Sequence, residues 1–93
     1  PALREARLRS QFLVGEYNAA FHRLSREERH ALLAGMLGAI GPDSAVIAPF
    51  FCDYGTNLHI GKGCYLNTGC VVLDCNVVRL GDGVLVGPGV HFY

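Results

Sequence analysis

The stretch from Ile60 to Phe92, IGKGCYLNTGCVVLDCNVVRLGDGVLVGPGVHF, repeats a large apolar residue at six-residue spacing, with one eight-residue step. The repeated positions are Ile60, Leu66, Val72, Leu80, Val86 and Phe92. Hexapeptide repeats of this kind are typical of a parallel β-helix, in which three hexapeptides form one triangular coil. Successive coils then stack their repeated residues into inner columns. The sequence therefore predicts a mainly β protein.

The same spacing extends upstream through Ile40, Val46 and Cys52, so about two and a half coils are predicted in all. The longer steps contain residues 53–57 and 74–76, which we expect to form corner loops that bulge from the coil. The last coil would leave an unpaired strand edge. We therefore expect further coils or a covering partner after the last residue, and we expect this chain to be a fragment.

The first part of the chain has helical spacing instead. Residues 2 to about 22 predict one helix with an apolar stripe. Ser25 and Glu28 form a capping-box pattern that opens a second helix, which is expected to end at Gly41-Pro42. We accordingly predict two regions, a helical one at 1–39 and a β-helix at 40–93. The first stripe comprises Leu8, Phe12, Leu13, Tyr17 and Phe21, and the second Leu32, Leu33, Met36, Leu37 and Ile40.

Composition excludes several functions. The net charge is zero, with 8 basic and 8 acidic residues, so nothing favours binding to nucleic acid or to an anionic membrane. No apolar run approaches the roughly 20 residues that span a bilayer. The four cysteines form no CxxC pair and no zinc-finger spacing with histidine, so no metal is predicted. Cys64 and Cys70 fall at small-residue positions of the repeat, which favours buried thiols, a reducing compartment and hence the cytoplasm.

Several motifs are more specific than the repeat alone. They are Pro49–Gly61, Tyr65-Leu66-Asn67, Leu80–Val90, Arg7-Leu8-Arg9 and Glu16-Tyr17-Asn18. Together they resemble the maltose and galactoside O-acetyltransferases of the hexapeptide-repeat acyltransferase superfamily. The resemblance implies a left-handed parallel β-helix preceded by two α-helices, and a homotrimer with active sites between subunits. It also implies acetyl transfer from acetyl-CoA to a hydroxyl of maltose, glucose, a galactoside or a related sugar.

The resemblance also assigns roles to individual residues. The general base in this family is a histidine in a Thr-x-His-Pro-like stretch, which would lie after Tyr93 and outside this chain. Asn67 would support catalysis and, with Arg7, Asp53 and Tyr65, would bind the acceptor. Two positions depart from the family pattern. Gly69 replaces a second asparagine, and Cys75 replaces an acidic acceptor-binding residue.

Each assignment has a purely structural alternative. Asn67 suits a tight corner, and Asp53 could hydrogen-bond its own loop. Tyr65 could pack in a subunit cleft, and Arg7 could lie on a solvated helix face.

Two other classes of function compete with the acetyltransferase. A non-catalytic trimeric scaffold would need only stacked and paired coils. A zinc hydrolyase of the gamma-class carbonic anhydrase type would need three histidine ligands. Only His59 and His91 lie in the predicted coils, and both are interpreted as structural.

Overall fold

The computed structural model describes residues 2–93, which form two α-helices, a short 3-10 helix and nine short strands. The helices are α1 (Ala2–Ala20), the 3-10 helix (Phe21–Arg23) and α2 (Arg26–Met36). The strands are β1 (Ala39–Ile40), β2 (Ala45–Val46), β3 (Phe51–Cys52), β4 (Leu58–Ile60), β5 (Tyr65–Leu66), β6 (Val71–Val72), β7 (Val78–Leu80), β8 (Leu85–Val86) and β9 (His91–Phe92).

The strands form three parallel sheets of three strands each, in the orders β1-β4-β7, β2-β5-β8 and β3-β6-β9. Every strand pairs with the third strand before or after it, which is the arrangement of a parallel β-helix. The described residues make three coils, so the prediction of about two and a half was too low. The nine repeated positions from Ile40 to Phe92 supply three strands to each of three coils, so the first coil is complete and its strand β1 pairs with β4.

The six-residue spacing correctly predicts the register of all three sheets. The inner columns are Ile40–Ile60–Leu80, Val46–Leu66–Val86 and Cys52–Val72–Phe92. Leu66 and Val72, at the middle of two columns, are completely buried. Cys64 and Cys70 are also buried, as predicted. All four cysteines are free thiols, and Cys75 is exposed.

Helix α1 packs on the first coil through polar contacts as well as apolar ones. The Tyr17 hydroxyl donates to the carbonyl of Val46. Asn18 makes two bonds to the backbone of Phe50, donating from Nδ2 to O at 2.9 Å and accepting from N at 3.0 Å. The face of α1 toward the coil therefore contains Ser10, Val14 and Tyr17.

The predicted apolar stripe of α1 was wrong in part. Leu8 is 53% exposed and Phe12 is 65% exposed, whereas Tyr17 and Phe21 are buried as expected. Side chains spaced four apart share one helix face, but the buried face is the one that carries Ser10 and Val14. The polar contacts of Tyr17 and Asn18 with the coil fix this rotation.

Helix α2 begins as predicted and ends early. The Ser25 side chain accepts from the Glu28 backbone N–H, and the Glu28 carboxylate accepts from the Ser25 N–H, which completes the capping box. The hydrogen bond from the Ser25 N–H is the main cause that lowers the pKa of the Glu28 carboxyl. The helix ends at Met36 rather than Gly41, because the N–H groups of Gly38 and Gly41 bond to carbonyls of the next coil.

The early end of α2 changes its predicted buried face. Leu33 and Met36 are buried as expected, but Leu32 is 42% exposed. Leu37 is buried as expected although it lies at the C-cap, and Ile40 belongs to β1. The division into 1–39 and 40–93 stays a prediction, and Pro1 lies outside the described residues. Among residues 2–93, no helix has the length and apolar character needed to cross a membrane.

We expect Ser25→Ala to lower the free energy of unfolding by about 1 kcal/mol, because it leaves the Glu28 N–H without its cap. Urea denaturation measures this change. Ser25→Asp, which retains an oxygen acceptor at the cap, should stay within about 0.5 kcal/mol of the original chain. An equal loss for both variants would contradict the capping role.

Candidate acceptor site

Two corner loops lie side by side where the third sheet turns into the first. Residues 53–57 follow β3 and residues 74–76 follow β6, and the Asp53 N–H donates to the carbonyl of Val72 at 3.3 Å. At this corner the Cys75 thiol donates to Asp53 Oδ2 at 3.4 Å. We call Arg7, Asp53, Tyr54 and Cys75 the acidic corner.

Arg7 reaches the acidic corner from helix α1. Its Nη2 donates to the Tyr54 hydroxyl at 3.1 Å, and the guanidinium carbon lies 5.6 Å from the Tyr54 ring centre. The hydrogen bond with Tyr54 raises the pKa of Arg7, and the nearby Asp53 carboxylate acts in the same direction. The structure therefore brings together two of the predicted acceptor-binding residues, Arg7 and Asp53.

The Cys75 thiol stays protonated near neutral pH. Its hydrogen bond to Asp53 is the main cause that raises the pKa of this thiol above its usual value. A protonated thiol donates its hydrogen to one oxygen of the carboxylate. The other oxygen of Asp53, Oδ1, has no protein donor among residues 2–93 and can accept a hydrogen bond from a hydroxyl.

A buried carboxylate lies beneath the acidic corner. Asp74 is completely buried, and its Oδ1 accepts from the Tyr54 N–H at 2.8 Å. Its Oδ2 accepts from the Asn57 N–H at 3.2 Å. The prediction that both long steps bulge outward was therefore wrong for Asp74. Alternation from the inward Val72 already indicates that Asp74 points inward, but the sequence analysis assigned it no role.

Tyr65 and Asn67 lie at a different corner of the coil. Tyr65 is 41% exposed on the outer face of β5, between Ala45 and Leu85. Asn67 follows β5, and its Oδ1 accepts from the Thr68 N–H at 2.7 Å. Its Nδ2 has no protein partner in the described part of the chain. Asn67 therefore presents a free donor at the corner between the second and third sheets.

The four predicted residues thus form two separate groups in one chain. Arg7 and Asp53 lie at the acidic corner, and Tyr65 and Asn67 at the corner after β5. The coil places these corners at the two ends of the third sheet. Within a single chain, the two corners therefore do not form one site.

The histidines of the coils have structural contacts. The His91 ring contacts the Tyr93 hydroxyl at 3.2 Å through Nδ1. The His59 ring lies against Gly38, where a β-carbon would come within 2.7 Å of its Cε1. Within residues 2–93, no group of three or more His, Cys, Asp and Glu side chains is placed to hold a metal ion.

Comparison with known proteins identifies the family. Residues 1–41 match the maltose acetyltransferase hexapeptide capping motif. Nodulation protein L of Rhizobium meliloti is 45% identical over 69 residues, which cover 74% of this chain and 38% of that protein. Galactoside O-acetyltransferase of Escherichia coli is 36% identical over 88 residues, which cover 95% of this chain and 43% of that protein.

A solved structure agrees with these relatives. The hexapeptide-repeat-containing acetyltransferase of Vibrio cholerae superimposes with a TM-score of 0.93 at 33% identity, covering all of this chain (100%) and 51% of that one. Its complex with acetyl coenzyme A gives a TM-score of 0.87, covering 95% of this chain and 46% of that one. The chain belongs to the maltose and galactoside O-acetyltransferase family of hexapeptide-repeat proteins. It spans less than half the length of the two relatives described above.

Proposed function

We propose that the protein containing this chain is a sugar O-acetyltransferase. It would transfer acetyl from acetyl-CoA to a hydroxyl of maltose, glucose, a galactoside or a related sugar. The observation that carries the proposal is the acidic corner, where Arg7 bonds to Tyr54 and the adjacent residue Asp53 bonds to Cys75, so a guanidinium donor and a carboxylate acceptor lie at one corner. Hydroxyl groups of a sugar both donate and accept, so such a pair can bind them. Acetyl coenzyme A bound to the Vibrio cholerae relative supports the acetyl donor.

The proposed reaction is direct attack of the sugar hydroxyl on the thioester carbonyl. A histidine outside these 93 residues takes the hydroxyl proton as the C–O bond forms, and coenzyme A leaves as the thiol. The contacts of His59 and His91 support a base elsewhere, because neither ring is paired with a predicted acceptor-binding residue. The free Nδ2 of Asn67 would orient that histidine or stabilise the oxyanion.

We further propose a homotrimer built from left-handed β-helices. The separation of the two corners supports an assembly of several copies. If the acidic corner of one copy faces the Asn67 corner of another, all four predicted residues can line one cleft. The outer residues Tyr65 and Leu85, which are 41% and 79% exposed, offer an apolar surface for such contacts.

The acceptor contacts differ from the galactoside pattern. Cys75 stands where that pattern has an acidic residue, but Asp53 supplies a carboxylate 3.4 Å from the Cys75 sulfur. We infer that Asp53 takes over the interaction with a sugar hydroxyl. We also propose a cytoplasmic location, which the four free thiols support.

Activity of the protein expressed from its complete gene tests the proposed function. We expect release of coenzyme A from acetyl-CoA that depends on an added sugar, followed by detection of the acetylated sugar by mass spectrometry. Glucose, maltose and a galactoside would be compared. Because the protein has free thiols, a sample without acetyl-CoA corrects the thiol assay.

Failure of every sugar to stimulate release would contradict the proposed function and leave the non-catalytic trimeric scaffold as the better account. Sedimentation measured in parallel gives the oligomeric state of the same samples and shows whether the protein has assembled. A trimer without transfer supports the scaffold, and a monomer contradicts the proposed homotrimer.

A further inference from the structure

We propose that Asp74 is a positioning residue for the acceptor site, an inference that rests on the proposed function. Asp74 has no access to solvent and touches no acceptor itself. It acts through Asp53 and Cys75, the two side chains that the neighbouring loops present at the acidic corner.

The bonds of Asp74 connect two successive coils in both directions. Its carboxylate accepts from the N–H groups of Tyr54 and Asn57, at 2.8 and 3.2 Å. In return, Asn57 Nδ2 donates to the carbonyl of Asp74 at 2.7 Å and to that of Cys75 at 3.4 Å. Four hydrogen bonds therefore fix the loop of residues 53–57 against the loop of residues 74–76.

These bonds lie directly beside the groups that would contact a sugar. Asp53 precedes Tyr54, whose N–H bonds to Asp74, and Cys75 follows Asp74. The Tyr54 hydroxyl also accepts from Arg7. A change in the Asp74 carboxylate would therefore shift Asp53, Cys75 and the partner of Arg7 together. A buried carboxylate is costly unless such donors satisfy it, so an apolar corner would be simpler if stability alone mattered.

The other coil-to-coil side-chain bonds provide a matched control. Ser44 is also buried, and its Oγ accepts from the Cys64 N–H at 2.9 Å and donates to the Gly61 carbonyl at 2.6 Å. It connects the first and second coils at another corner, which carries none of the predicted site residues. Ser44→Ala should destabilise the coil without moving the acidic corner.

Steady-state kinetics of the complete protein tests the inference with Asp74→Asn, Asn57→Ala and Ser44→Ala. Asparagine at 74 keeps one oxygen but turns an NH₂ group toward a backbone N–H, so one bond is lost and two donors face each other. We expect the KM for the sugar to rise about tenfold, which corresponds to about 1.4 kcal/mol, while the KM for acetyl-CoA stays within twofold. Asn57→Ala should give a smaller rise of the same kind, and Ser44→Ala none.

Thermal unfolding of all three variants shows whether a change in KM comes from a displaced loop or from a general loss of stability. A sugar KM that is unchanged in Asp74→Asn, or that rises equally in Ser44→Ala, would overturn the positioning role. If Asp74→Asn does not accumulate as folded protein, Asn57→Ala decides the question alone, and an unchanged sugar KM overturns the inference. Absence of sugar-dependent transfer in the unsubstituted protein would instead contradict the proposed function.

Discussion

Replacing Leu66 with alanine is expected to lower the free energy of unfolding by about 3 kcal/mol, because it opens a cavity at the centre of the coils. Leu66 is completely buried, between Val46 above it and Val86 below it in the same inner column. Both of its strand neighbours come from other coils. The surrounding backbone is fixed by parallel pairing on both sides, so the site has little freedom to collapse and fill the space.

Urea denaturation followed by circular dichroism measures this loss. Leu3→Ala is a matched control, since Leu3 is 70% exposed on helix α1 and should change the free energy of unfolding by less than about 0.5 kcal/mol. A loss below about 1 kcal/mol for Leu66→Ala would contradict the tightly packed column. Measurements at several protein concentrations separate unfolding of the coil from dissociation of subunits.

The coil register could be predicted from sequence because one residue in six determines it. Ile60 must lie between Ile40 and Leu80 in its column, since any other register would expose an inner column to solvent. The capping box of α2 was predictable for a similar reason, because Ser25 and Glu28 satisfy each other locally.

The orientation of α1 could not be predicted in the same way. The predicted stripe joined Tyr17 to Leu8 and Phe12, whereas the buried face of the helix joins Tyr17 to Ser10 and Val14. Local spacing does not say which face meets the coil. The choice depends on the backbone of the first coil. The Val46 carbonyl accepts a hydrogen bond from the Tyr17 hydroxyl, and the carbonyl and N–H of Phe50 both bond to the Asn18 side chain. The early end of α2 likewise depends on pairing with the next coil.

The residues of the candidate site remain a prediction from the family resemblance, whereas their arrangement comes from the structure. The family resemblance supplied Arg7, Asp53, Tyr65 and Asn67. The arrangement of these residues depends on contacts between parts of the chain that are far apart in sequence, because Arg7 meets Tyr54 only after the helix has packed on the coil. Alternation indicates that Asp74 points inward, but its hydrogen bonds to the N–H groups of Tyr54 and Asn57 form between coils and could not be predicted from the sequence.

Replacing Asn67 with alanine in the complete protein is expected to lower kcat about 100-fold, because it removes the side-chain donor that we propose acts at the reaction centre. The Oδ1 of Asn67 is already occupied by the Thr68 N–H at 2.7 Å, which restricts the orientation of the amide and leaves its Nδ2 without a protein partner in residues 2–93. This amide is therefore held ready before substrate binds, as electrostatic catalysis requires.

Two further variants distinguish catalysis from corner geometry. Asn67→Asp keeps the oxygen that accepts from Thr68 but removes the free donor, so it should lose kcat nearly as much as alanine while retaining the stability of the corner. Lys62→Ala, at an exposed lysine on the corner between the first and second sheets, should leave kcat within about twofold, since surface substitutions away from a site have small effects. If Asn67→Asp retains full kcat, Asn67 only shapes the corner, and the oxyanion must be stabilised by backbone donors. If it loses kcat without a matching loss of stability, the free Nδ2 acts in the transition state, and the corner after β5 is part of the active site.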